Sequence, residues 1–122
     1  MGAIVVGVDG SEESRRALEW ALTWARHHDA RVRVVYAYGG NESEREAELI
    51  VNAEVTTAGT EDVDVVPEAL PGPAVRVLLE AAREAELLVV GSRGRHGFPG
   101  LLLGSVSQQL AHHAVCPVVI VH

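Results

Sequence analysis

Residues 3–11, AIVVGVDGS, combine an uninterrupted apolar run with a polar Asp-Gly-Ser turn. The run is rich in β-branched residues and lacks polar alternation, which is typical of a strand buried on both faces. Such strands belong to parallel sheets covered by helices. Ser11 can cap a following helix, and Glu12 and Glu13 favour its positive N-terminal end. We therefore predict that the chain opens with a strand and a helix of a parallel α/β sheet.

Apolar runs continue to alternate with amphipathic segments along the rest of the chain. The predicted strands are residues 3–8, 31–37, 62–66, 87–90 and 117–121, and the predicted helices are residues 12–28, 42–58, 73–84 and 103–114. The third strand alternates Asp and Val, as in an edge strand with one wetter face. Five strands joined by helical crossovers indicate a doubly wound, five-stranded parallel sheet with helices on both faces. We expect one domain over residues 1–122.

The composition excludes several classes of protein. The chain has 122 residues, a net charge of −7 and 10 basic residues, all of them arginine, which disfavours nucleic acid as a partner. Its apolar stretches are far shorter than the roughly 18 residues that a membrane span needs, so we expect no membrane association. The single cysteine, Cys116, excludes an intramolecular disulfide and a cysteine-based zinc site. The start has no signal-peptide pattern, so we expect the protein in the cytoplasm.

A glycine-rich segment follows the predicted fourth strand. Gly91, Gly94, Gly97, Gly100 and Gly104 fall within 14 residues, and a predicted helix overlaps the end of the segment. Ligands of an open parallel sheet bind beyond the carboxyl ends of the strands, where the strand order reverses. Glycine permits close backbone approach, and free amides at a helix N-terminus favour an anion. The segment therefore predicts a phosphate site.

Polar side chains near this segment are candidates for the same site. Arg93 and Arg95 can supply positive charge, and Ser105 and Ser107 can offer hydroxyl groups. Asp9 follows the first strand and is either a site residue or a turn former. The segment is not a Walker A loop, because the sequence has no lysine. It is not a dinucleotide fingerprint either, because G-x-G-x-x-G is missing after the first strand.

From IVVGVDGSEESRRALEWA at 4–21 to GSVSQQLAHHAVCPVVIV at 104–121, the sequence resembles the universal stress protein family. The most specific part is GSRGRHGFPGLLLGS at 91–105, which fits that family's ATP-binding pattern of Gly, two residues, Gly, nine residues, Gly, then Ser or Thr. The defining positions are occupied by Gly91, Gly94, Gly104 and Ser105. The resemblance implies membership of the ATP-binding subgroup.

The resemblance also implies a strand order of 3-2-1-4-5, with ATP, or AMP or ADP, across the ends of strands one and four and Mg²⁺ accompanying the nucleotide. It places Asp9 at the ribose hydroxyls and the backbone of Ala37 at the adenine. The whole predicted site comprises Asp9, Gly10, Ala37, Gly91, Arg93, Gly94, Gly104, Ser105, Val106 and Ser107, without a catalytic residue or a metal held by protein ligands alone. The region after strand two is short, so we expect a reduced cover over the adenine.

The function that the resemblance implies is that of a stress-response or regulatory protein whose bound nucleotide changes its shape or partners. Two alternatives stay open: a slow ATPase or adenylate-transferring enzyme, and a dimerising scaffold without ligand. The sequence shows no positioned general base or nucleophile beside the glycine-rich segment, which disfavours an enzyme. We also expect a homodimer through residues 117–121, because an apolar edge strand favours pairing with another strand.

Overall fold

The computed structural model describes residues 2–93 and 103–122. Its elements are β1 (Ala3–Val8), α1 (Glu12–His28), β2 (Arg31–Tyr38), α2 (Glu44–Ala58), β3 (Val65–Pro71), α3 (Ala74–Ala81), a 3-10 turn (Ala82–Glu84), β4 (Leu87–Gly91), α4 (Ser105–His113) and β5 (Val118–Val121). The five strands form one parallel sheet in the order β3-β2-β1-β4-β5. This confirms the predicted fold class and strand order.

Two apolar clusters lie on opposite faces of the sheet. The first joins β1 residues such as Ile4 to Leu18 and Leu22 of α1 and extends to α2. The second joins Val5 of β1, Val35 of β2 and Leu88 of β4 to α3 and α4, where Leu110 is fully buried. Successive side chains of a strand point to opposite faces, so an apolar run without polar alternation contributes to both clusters.

The cap of α1 fixes where that helix begins relative to β1. Ser11 precedes the helix in extended conformation, and its Oγ accepts a hydrogen bond from the Ser14 N–H at 3.2 Å. The helix ends at His28, and Asp29 follows in the left-handed region with φ of 52°. The predicted cap and the predicted helix end are confirmed, and the N-terminus of α1 lies at the carboxyl edge of the sheet.

The predicted third strand, residues 62–66, is wrong over most of its length. The strand is Val65–Pro71. The Asp-Val alternation before it belongs to a turn, in which Asp62 accepts a hydrogen bond from Arg26 Nε at 2.8 Å. The sequence did not indicate a strand around Pro67, because proline lacks the N–H that donates a hydrogen bond to a neighbouring strand. β3 lies at the edge of the sheet, where a missing donor is tolerated.

Several predicted boundaries are also displaced. Helix α2 begins at Glu44 and not at residue 42, because Ser43 caps it. Helix α3 begins at Ala74 and ends at Ala81, and the 3-10 turn takes the place of the last predicted residues of this helix. Helix α4 begins at Ser105 and not at residue 103, because Gly104 is extended, with φ of −80° and ψ of 172°. These shifts leave the order of the elements unchanged.

The capping box of α2 gives a test of this local account. Ser43 Oγ accepts the Glu46 N–H at 3.1 Å, and Glu46 Oε1 accepts the Ser43 N–H at 2.9 Å. We expect Ser43→Ala to lower the free energy of unfolding by about 1 kcal/mol in urea titrations. Thr57→Ala, at an exposed position in the last turn of α2, is the control and should change it by less than about 0.5 kcal/mol. Equal losses in both variants would show that the box does not stabilise α2.

Candidate functional site

The carboxyl ends of β1 and β4 meet at the place where the strand order reverses. The β1–β2 ladder runs to Val8, but the β1–β4 ladder ends with Val6 opposite Val89. Strand β4 itself continues to Gly91. The ladder between β1 and β4 thus ends before the strands do, at the crevice position where open α/β sheets bind ligands. We call this region the switch-point edge.

Asp9 is half-buried immediately after β1, at the switch-point edge. Its Oδ1 accepts the Ser11 N–H at 2.9 Å, and its own N–H donates to Ser14 Oγ at 3.2 Å. Gly10 follows with φ of 84°, a conformation that glycine adopts without steric cost. Asp9 therefore forms the turn that leads into α1, and this turn fixes the orientation of its carboxylate.

Ala37 lies near the end of β2, beside Asp9 in register. On one side it pairs with Leu70 of β3. On the other side the β1–β2 ladder ends with Val8 opposite Tyr36, so the next pair in the same register is Asp9 and Ala37. The structure therefore brings the two residues predicted for ribose and adenine to adjacent positions at one edge of the sheet.

The start of α4 is tied to the end of β4 through the Ser92 carbonyl. That oxygen accepts the Gly104 N–H at 2.6 Å and the Ser107 Oγ–H at 2.8 Å. Ser92 and Ser107 are 1% and 2% exposed, whereas Ser105 is exposed. Ser107 was predicted to offer its hydroxyl to a ligand, but the structure directs that hydroxyl to the protein backbone. Of the two serines, Ser105 is the one that faces outward.

The first turn of α4 presents backbone amides at the same edge. The first bond within the helix runs from the Gln108 N–H to the Gly104 carbonyl at 3.0 Å. The amides of Ser105, Val106 and Ser107 precede it and have no acceptor within the helix. Gly104 has no side chain to cap them. Such an N-terminus attracts anions.

Gly91 and Arg93 connect the end of β4 to the first turn of α1. A Cβ atom on Gly91 would lie 2.8 Å from both the carbonyl carbon and the Cβ of Glu13, so only glycine allows this approach. Arg93 Nη2 donates to Glu13 Oε2 at 3.0 Å. This contact was not predictable from the sequence, because no local pattern relates Glu13 to a residue 80 positions away.

The second glycine of the predicted motif, Gly94, and the candidate cation Arg95 lie outside the described residues. Within residues 2–93 and 103–122, no cluster of three or more His, Cys, Asp or Glu side chains is arranged to hold a metal ion. In the same part of the chain, no helix has the length and apolar character of a membrane span. The described site therefore consists of the turn at Asp9, the end of β2 and the junction of β4 with α4.

Sequence comparison identifies relatives along the whole chain. The model of the Universal stress protein family matches residues 1–50 and 38–122. A universal stress protein of Mycobacterium tuberculosis is 34% identical over a gapped alignment of 130 positions. The alignment covers 98% of this chain and 48% of that protein. The chain spans about half the length of the curated relatives that it matches.

Solved structures share the fold. A universal stress protein in complex with cAMP is 30% identical, with a TM-score of 0.78, and the match covers 99% of this chain and 97% of that one. A universal stress protein from Lactobacillus plantarum has a TM-score of 0.87 at 21% identity, with the same coverage, and this likeness concerns the fold alone. Because the family model spans the sequence and relatives reach 30% identity or more, the chain belongs to the universal stress protein family.

Proposed function

We propose that this chain binds an adenine nucleotide, ATP or its products ADP and AMP, at the switch-point edge and acts as a nucleotide-dependent regulator in the cytoplasmic stress response. The junction at Ser92 is the observation that carries the proposal. It holds the amides of the first turn of α4 beside the end of β4. The complex of a 30% identical family member with cAMP supports an adenine nucleotide as the ligand class.

In this proposal the phosphates lie at the start of α4. The amides of Ser105 and Val106 and the Ser105 hydroxyl donate to phosphate oxygens, and Gly104 lets the chain approach them closely. Arg93 adds positive charge, and Mg²⁺ enters with the nucleotide and neutralises part of its charge. Ser107 and Gly91 act as positioning residues, because their contacts are with the protein itself.

The nucleoside lies across the ends of β1 and β2 in the same proposal. Ribose hydroxyls donate to the Asp9 carboxylate, which the Ser11 N–H already orients at 2.9 Å. The adenine contacts the backbone of Ala37, which is adjacent in register to Asp9. Both contacts use groups that the fold positions independently of ligand, so little reorganisation is needed on binding.

We further propose that two copies pair through β5, which is an edge strand. The Pro117 carbonyl accepts a hydrogen bond from the Leu88 N–H of β4 at 3.0 Å, and the Val121 carbonyl accepts one from the N–H of Ser92, directly after β4, at 2.8 Å. Backbone groups alternate in direction along a strand, so those of Val118 and Ile120 point away from β4. This outward row of donors and acceptors, on a strand with four apolar residues, supports antiparallel pairing with a second copy.

Nucleotide binding is tested by thermal unfolding with ATP and Mg²⁺. At a hundredfold excess over Kd, a ligand specific for the native state adds about 2.7 kcal/mol, which is a rise in Tm on the order of 10 °C for a domain of this size. Equal shifts with GTP would contradict the preference for adenine. An unchanged Tm at millimolar ATP would contradict the proposed function.

Asp9→Asn tests the ribose contact without removing the turn, because the amide oxygen can still accept the Ser11 N–H. We expect calorimetry to show ATP binding weakened roughly tenfold or more, as for loss of a charge-assisted hydrogen bond. Asp29→Asn, at the opposite end of α1, removes the same charge and should leave the affinity unchanged. If the two variants bound ATP equally, Asp9 would not hold the ribose.

Ser105 and Ser107 form a matched pair that separates binding from stability. Ser107→Ala should lower the free energy of unfolding by about 1 kcal/mol, because a buried hydrogen bond to Ser92 is lost. Ser105→Ala should weaken ATP binding severalfold and leave stability nearly unchanged, because this side chain is exposed. Chemical denaturation and calorimetry measure the two effects, and the reverse assignment would contradict this account of the start of α4.

The dimer is tested by sedimentation at micromolar concentration. We expect about twice the 13.0 kDa chain mass for the unaltered protein. Ile120→Pro removes an outward N–H and should give a folded monomer, whereas Ile120→Ala keeps that N–H and should stay dimeric. A single-chain mass for the unaltered protein would disprove pairing.

A further inference from the structure

The predicted phosphate-binding arginine is engaged by an acidic side chain of α1. Arg93 Nη2 lies 3.0 Å from Glu13 Oε2, and the two side chains are 36% and 16% exposed. Arg93 is the only basic residue in the described part of the segment between β4 and α4. The arginine that the proposed function assigns to the phosphates therefore already has an anionic partner.

The position of Glu13 is fixed by packing. Its backbone lies against Gly91, where an added Cβ would come within 2.8 Å of it. Glu13 also lies in the first turn of α1, which Ser11 caps. Its other cation, Arg16, is 4.0 Å away and 44% exposed, a distance and exposure that make a weak pair. The Glu13 carboxylate thus stays beside the end of β4, and Arg93 is its nearer partner.

A nucleotide phosphate and Glu13 compete for the same guanidinium. Arginine has five N–H donors and can contact both, but the carboxylate then remains close to the phosphate charge. Like charges repel more strongly as the number of charges rises, and the repulsion weakens with salt. Without Mg²⁺ to neutralise part of the phosphate charge, the penalty is therefore largest for ATP, smaller for AMP and absent for adenosine.

We infer that Glu13 is a specificity-determining residue of the nucleotide site, which opposes binding more strongly as the negative charge of the bound phosphate groups rises, by sharing Arg93 with them. This inference rests on the proposed function. In this inference Glu13 sets the relative affinities for ATP, ADP and AMP, and Arg93 is the cation that Glu13 and the phosphates share. The contact between Arg93 and Glu13 carries it.

Calorimetric titration of Glu13→Gln with ATP, AMP and adenosine, all in Mg²⁺-free buffer, tests the inference. We expect ATP to bind about threefold to fivefold more tightly than to the unaltered protein, AMP to gain less and adenosine to change little, as expected for an exposed ion pair. The gain for ATP should shrink at high salt. Arg93→Gln should weaken ATP binding and leave adenosine unaffected.

Glu12→Gln is the matched control, because Glu12 is in the same helical turn, is 76% exposed and lies 3.7 Å from Arg16. It removes an equal charge without touching Arg93 and should leave the ratio of ATP to adenosine affinity unchanged. Thermal unfolding confirms that each variant is folded. If Glu13→Gln behaved like Glu12→Gln, or tightened ATP and adenosine equally, the inference alone would be overturned. If the unaltered protein bound none of the three compounds, the proposed function would fail, and the role of Glu13 would fail with it.

Discussion

The carbonyl oxygen of Ser92 accepts two hydrogen bonds, and the geometry of the candidate site depends on them. The Gly104 N–H and the Ser107 hydroxyl hold the start of α4 against the end of β4, and the Ser92 N–H donates to Val121 of β5 at 2.8 Å. One buried residue thereby joins two strands and a helix. Without this junction the apolar side of α4 would still pack through Leu110, but the amides of its first turn would have no fixed position at the switch-point edge.

The order of strands and helices along the chain was predictable because apolar runs and polar turns are local features of the sequence. Residues 3–8 are apolar at nearly every position, as a central strand covered by helices requires, and the polar turn after them contains the cap of α1. The third strand was misplaced for an equally physical reason. Strand β3 lies at the edge of the sheet, where Pro67 is tolerated. The position of a strand within a sheet depends on tertiary contacts, which local sequence patterns do not contain.

The site was predictable only in part. The spacing of Gly91, Gly104 and Ser105 and the resemblance to universal stress proteins indicated a site after β4, and the structure brings these positions together at the end of β4. The contacts that Ser107 and Glu13 make in this region were not apparent from the sequence. Ser107 is buried against Ser92, and Glu13 contacts a residue 80 positions away, and both contacts arise from the packing of helices against β4.

Chemical-shift mapping of backbone amides during titration with ATP and Mg²⁺ is the decisive test of nucleotide binding at the switch-point edge, because it locates the ligand residue by residue. We expect the largest chemical-shift changes at Asp9, Ala37, Ser105 and Val106. The amide signals of residues at the amino ends of the strands should remain unchanged. Changes centred instead on the outer face of α1, around Trp20 and Trp24, with none at the start of α4, would contradict it.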